Sequence, residues 1–391
     1  VPALAALAIA AAFVGALLIR AEGDPSLLVH AGPPWTDPAG ARGSLTVQEA
    51  DEAFDGQFFY RIGTAPWSEA ETENGVTFDL PALRNARWGY GALAYVASFG
   101  DPDLVPWSLI AVNLAAAGAV GAIGGALAQR AGRHALWGLM LFGWPGFAYS
   151  LSLDTSELVA SAFVLGGMLA LARAGPPRRW VGAAACFSAA VAVRDTTLVV
   201  PLGVAAAGAW TLRPHGQHQW SRRWARGRPW LLAGAVPVTF FIVWQLLQRA
   251  RFGELPVTSS GDNNLSGPLV GLAELVREIL PPGGGDEAFR LLSLVGLVVL
   301  LATAAWLQLR SSERRLDALS APWLAAVTVV VLLNAYLWSG ATAFMRASTE
   351  AGLLSILVVL RSGRPRVQVA CATGLAGLWA LTAVAQLAKL G

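Results

Sequence analysis

The chain has 391 residues, 55% of them hydrophobic and only 14% charged, and a mean hydropathy of +0.53, a balance unlike that of a soluble globular domain. A formal charge of +3 gives no reason to expect a nucleic-acid partner. No nucleotide-phosphate loop is evident either, since the run Gly283–Gly285 is followed by Asp286 and Glu287, the wrong sign for cradling phosphate.

A helix needs about 20 apolar residues to cross the hydrocarbon core, where every backbone polar group must be satisfied within the segment. Such runs lie at 1–19, 104–128, 134–151, 157–172, 179–194, 196–212, 230–248, 288–309, 321–338, 342–360 and 366–388. They predict an all-α integral membrane protein, a single transmembrane domain over 1–391 with about eleven transmembrane helices. The first run starts at Val1 and lacks a basic leader and a clear cleavage site, so it reads as a spanning helix rather than a signal sequence. The second follows a long segment, 20–103, in which Ala50–Ile62 and Leu80–Phe99 carry apolar and aromatic residues at helical spacing. These predict interfacial amphipathic helices, with a polar loop over Thr64–Asp79 between them.

Further along, arginines recur in alternate connections. Arg130 and Arg133 follow the second run; Arg173, Arg178 and Arg179 follow the fourth; Arg213, Arg222, Arg223, Arg226 and Arg228 follow the sixth. Arg310, Arg314 and Arg315 follow the eighth, and Arg361, Arg364 and Arg366 the tenth. Cytoplasmic loops retain positive charge, so the N-terminus is expected inside, with the segments 20–103 and 249–287 outside. Leu269–Leu280, ahead of Pro281 and Pro282, predicts another interfacial helix. The prevalence of Arg over the single Lys389, with abundant Ala and Gly, suggests a GC-rich bacterium and hence its plasma membrane. Cys186 and Cys371 sit inside apolar runs and read as packing residues. His30, His134, His215 and His218 do not cluster as a zinc site requires, so no zinc centre is expected; no cofactor is required, and a divalent cation is left open.

Chemistry concentrates in the first outer segment. Asp51 and Asp55, four apart, would share a helix face, and repulsion between them would raise the pKa of one. Asp55 is embedded among Phe54, Phe58, Phe59 and Tyr60; it reads either as a base or as part of a solvated acidic face with aromatics in lipid.

The run Asp55-Gly-Gln57-Phe-Phe-Tyr60-Arg61-Ile, followed by Gly75-Val-Thr-Phe-Asp-Leu-Pro-Ala-Leu-Arg84 and Arg87-Trp-Gly-Tyr-Gly, resembles a family of bacterial polytopic proteins linked to cell-surface glycopolymer formation, themselves similar to GT-C glycosyltransferases. Asp154-Thr-Ser-Glu157, Val193-Arg194-Asp195-Thr-Thr, Arg251-Phe-Gly-Glu-Leu-Pro and Phe344-Met-Arg346 extend the likeness over most of the chain. Phe59, where Tyr is frequent, and Asp195, where Glu is frequent, depart from the pattern. The resemblance implies a GT-C-like fold, a polyprenyl-phosphate sugar donor, a glycan or lipid acceptor, and Asp55 as general base.

Donor binding is expected of neighbouring residues of the motif, Asp51, Gln57 and Tyr60. A leaving phosphate needs cations, and arginine forks onto phosphate oxygens. Arg61, Arg84, Arg87, Arg194 and Arg346 are the outer-side candidates. Arg194–Asp195 could instead neutralise itself as a clasp, and Arg346 could pair with Glu350 one turn on. Asp154 and Glu157 could position acceptor hydroxyls, ligate a divalent ion, or serve only as turn and helix-start residues. A transporter or flippase of lipid-linked glycans, or a noncatalytic scaffold of envelope synthesis, are the competing classes. No pseudo-repeat of the transporter kind is visible.

Overall fold

The computed structural model describes residues 1–49, 53–172, 179–213, 220–259, 264–310 and 317–389. Among them the protein is helical apart from a two-stranded antiparallel ribbon, Thr72–Glu73 with Val76–Thr77, in the segment expected as loop. Helix α1 spans Pro2–Arg20. The first long segment then holds α2 (Gly56–Thr64), α3 (Pro81–Ala86) and α4 (Gly89–Ala97). Next come α5 (Val105–Arg130), α6 (Leu139–Phe142), α7 (Gly146–Ser152), α8 (Glu157–Ala172), α9 (Arg179–Val193) and α10 (Val199–Leu212). Helix α11 (Trp220–Phe252) is followed by α12 (Pro256–Ser259) and α13 (Val270–Ile279). The chain ends with α14 (Gly285–Arg310), α15 (Ser320–Val331), α16 (Ala335–Trp338), α17 (Ala341–Ala347), α18 (Thr349–Arg361) and α19 (Pro365–Lys389).

Among the described residues six helical stretches are long and apolar enough to cross a membrane: α1, 102–130, 195–212, 227–252, α14 and α19. The pair α17 and α18, bent by 61°, makes a seventh if taken as one broken span. The other runs differ from continuous spans. Run 134–151 is divided at Gly143–Pro145, where proline cannot donate the helical hydrogen bond, and α8, α9 and α15 are shorter apolar helices. The protein is therefore an all-α, membrane-embedded chain. On α11 the outward residues Ile242, Val243, Leu246 and Leu247 are each about half exposed, a surface suited to lipid rather than water.

Helices pack by close approach of small residues, the device available where lipid is as apolar as the side chains. A Cβ on Gly121 of α5 would lie 2.5 Å from the Pro2 carbonyl oxygen of α1, and one on Gly203 of α10 would overlap Pro322 of α15. From α5 the contacts run to α8 and from α8 to α9, and α10 lies between α11 and α15.

In the first long segment, α2 departs from the expected interfacial arrangement. Residues 53 and 54 are not helical, because the Phe54 amide donates to the His30 carbonyl at 2.8 Å, and the helix begins at Gly56 instead of Ala50. Every residue of α2 is buried, so α2 lies inside the protein rather than along its surface.

Candidate functional site

Asp55 precedes the first turn of α2, and its neighbour Gly56 fixes its depth. A Cβ at Gly56 would overlap the Val29 carbonyl oxygen and come within 2.8 Å of that of Leu153. Both obstacles are backbone, so nothing flexible can yield. Gly56→Ala should lower the unfolding free energy by about 1–3 kcal/mol, as overpacking does. Gly15→Ala, where nothing lies within 4 Å, should be nearly neutral when both are compared by unfolding in mixed micelles.

The Asp55 carboxylate bridges two arginines. Arg84 Nη1 donates to Oδ1 at 2.9 Å and Arg346 Nη2 to Oδ2 at 2.9 Å. Arg84 also forks onto Asp79 with two bonds of 2.7 Å and lies over the Phe58 ring at 4.0 Å. Arg346 lies 4.8 Å from the Phe54 ring and donates through Nε to Glu157 Oε1 at 2.7 Å. Glu157, the first residue of α8, accepts a second bond from Ser150 Oγ at 3.2 Å. Arg194 approaches Glu157 at 3.6 Å and Glu350 at 4.0 Å, and donates to the Arg346 carbonyl at 2.9 Å. Beside this chain, Arg87 Nε donates to Asp195 at 2.9 Å. The aromatic neighbours of Asp55 thus serve as faces for the arginines that hold it.

Two local expectations change. Arg194 and Asp195 do not clasp each other; Arg194 is in extended backbone between α9 and a short 3₁₀ turn, and the two side chains diverge to Glu157 and Arg87. Arg346 does not pair with Glu350, because α17 ends at Ala347 and the bend into α18 removes the shared face that a spacing of four would give.

Three motif residues stay outside the cluster. Arg61 donates to the carbonyls of Glu71 and Ala70 and stacks on Phe78 at 3.7 Å, clamping the loop behind α2. Gln57 Oε1 accepts from Thr36 Oγ1 at 2.7 Å and from the Gly32 amide at 3.4 Å. Tyr60 is fully buried. None of the three pairs with a charged side chain of the cluster. Asp51 lies outside the described residues. Asp79 and Glu350 belong to the cluster but were not among the expected site residues. The Asp79 signal was its place in the same motif as Arg84.

Burial pushes the Asp55 carboxyl up, but Arg84 and Arg346 outweigh it and hold it well below the ordinary carboxylate value. Burial alone lowers Arg84, and its two carboxylates more than restore it. Asp154, in the connection between α7 and α8, is the opposite case. It is fully buried at a left-handed φ of 43°, neither carboxyl oxygen has a hydrogen-bond partner, and burial pushes its pKa well up. The native state then keeps a proton that the unfolded chain loses near about pH 4, so this group destabilises the fold as pH rises from there. Asp154→Asn, which tolerates the same backbone, should raise the melting midpoint at pH 8 and leave it unchanged near pH 3. A midpoint difference that does not vary with pH would contradict this origin.

Among the described residues no three His, Cys, Asp or Glu side chains are grouped to hold a metal ion. An apolar cavity of about 540 Å³ lies away from the charges, between α1, α6 and α19. No protein-family model matches the chain, and neither a curated protein nor a solved structure matches it.

Proposed function

We propose that the protein is a GT-C-type membrane glycosyltransferase that moves a sugar from a polyprenyl-phosphate donor to a cell-envelope glycan or lipid acceptor on the extracytoplasmic side of a bacterial plasma membrane. In this reading the chain crosses about eleven times from a cytoplasmic N-terminus, the bent pair α17 and α18 and the four shorter or divided runs all counting as spans. One observation carries it. Asp55, Arg84, Arg87, Glu157, Arg194, Asp195 and Arg346 come from four connections that the arginine pattern assigns to one side, and they meet in a single part-buried cluster. Buried charge at this density is costly in a membrane protein and belongs to function more often than to scaffolding.

The chemistry follows from the pairing. A donor phosphate competes with Asp55 for Arg84 and Arg346, since both are forked ligands for an oxyanion. Taking over those arginines frees the carboxylate and raises its basicity. The acceptor oxygen then attacks the anomeric carbon as the bond to the phosphate oxygen breaks. The acceptor proton passes to Asp55, and polyprenyl phosphate departs on the arginines. The side chain of Asp55 is 28% exposed while Glu157 is 2% exposed, so Asp55 is the carboxylate of the pair that an incoming acceptor can reach.

Mass spectrometry of envelope glycans from a deletion strain identifies the missing sugar, and purified protein is then supplied with the matching polyprenyl-phosphate sugar. Transfer to the acceptor is the expected result. If the purified protein transfers no sugar but moves lipid-linked glycan across proteoliposomes, the reading gives way to a transporter.

A further inference from the structure

The cavity between α1, α6 and α19 takes no part in the charge cluster, and its walls are apolar: Ile9, Trp137, Met140, Phe142, Leu375 and Trp379. It opens on the protein surface, since the lining residues Ile9 and Leu136 are 44% and 42% exposed. Along α19, which starts at Pro365, the lining runs from Ala372 to Trp379, about 10–21 Å from that end at 1.5 Å per residue. Half of a hydrocarbon core of roughly 30 Å has this depth, so the groove matches one acyl chain of one leaflet.

The mouth is basic. His134 lines it, and Arg133 precedes His134. A Cβ on Gly363 would lie 3.4 Å from Arg133 Nη2, which brings the turn before α19 beside it. Three of the neighbouring arginines are committed elsewhere. Arg130 donates to the Leu169 carbonyl at 3.4 Å, Arg361 pairs with Asp317 at 3.5 Å, and Arg364 lies over the Trp306 ring at 4.7 Å. Arg133 Nε, although buried, has no hydrogen-bond partner. An apolar groove alone accepts any lipid; a cation beside it selects an anionic one.

We propose that this groove is a binding site for an anionic glycerophospholipid, with one acyl chain between α1, α6 and α19 and the phosphodiester on Arg133. Native mass spectrometry of the purified full chain, titrated with phosphatidylglycerol or with phosphatidylcholine of the same acyl chains, tests it. The expected preference for phosphatidylglycerol is at least about tenfold, one charge-assisted contact in equilibrium terms. Arg133→Gln should abolish the preference, Arg133→Lys should retain most of it, and Ala376→Trp, which fills the groove, should weaken both lipids. Glycerophosphoglycerol, the headgroup without chains, should fail to compete. Equal affinity for the two lipids overturns the proposal, as does an unchanged preference in Arg133→Gln or competition by the headgroup alone. A lipid-independent dimer abolished by Ala376→Trp, meaning that a second copy fills the groove, also overturns it.

Discussion

Arg346→Gln is expected to lower the unfolding free energy by about 3 kcal/mol, the low end of the range for removing one partner of a buried ion pair. The side chain is 13% exposed and bridges Asp55 to Glu157, so its loss leaves both carboxylates short of a donor. The low end applies because Asp55 keeps Arg84 and Glu157 keeps Arg194 nearby. Pairing Arg346→Gln with Glu157→Gln should cost less than the two single losses added together, since the second change removes the carboxylate that the first exposes. Unfolding by SDS in mixed micelles measures all three variants. Strict additivity of the two losses would mean that the contact carries no coupling.

Asp55→Asn has the opposite profile. Each of its arginines retains another carboxylate, Asp79 for Arg84 and Glu157 for Arg346, so the fold should lose only about 1 kcal/mol, the scale of an ordinary hydrogen bond. Sugar transfer by the purified protein should fall by about 10²–10⁴-fold, the contribution of a positioned general base. Affinity for polyprenyl phosphate should rise at the same time, because Arg84 and Arg346 no longer have Asp55 to satisfy. A structural residue gives no such combination of slower turnover and tighter binding. Full activity in Asp55→Asn would remove Asp55 from the chemistry.

Local helix signals were readable in the sequence where chain chemistry decides them. The amphipathic run before Pro281 and Pro282 is helix α13, and the long runs behind α1, α5, α14 and α19 are long helices. The alternation of arginines grouped Arg84, Glu157, Arg194 and Arg346 on one side, and these are residues the fold brings together. Partner choice was not readable. Arg346 and Glu350 are four apart, yet a bend at Ser348 sends Arg346 to Asp55; Arg194 and Asp195 are adjacent, yet extended backbone separates their partners. Both outcomes depend on where a helix breaks, which tertiary packing sets. The burial of α2 was hidden for a similar reason. Its polar residues Gln57 and Arg61, expected to bind a donor, are satisfied instead by Thr36 and by loop carbonyls.

Asp55 stands immediately ahead of α2, Glu157 opens α8, and Glu350 lies in the first turn of α18, so three helices turn their amino ends toward one small volume. Aligned peptide dipoles give such ends a partial positive charge of about half a unit each. The anion at Asp55 is consequently favoured by the backbone as well as by the guanidinium groups of Arg84 and Arg346. That electrostatic bias is built into the main chain, and it persists whichever anion occupies the space, a side chain of the protein or a charged group brought in from the bilayer.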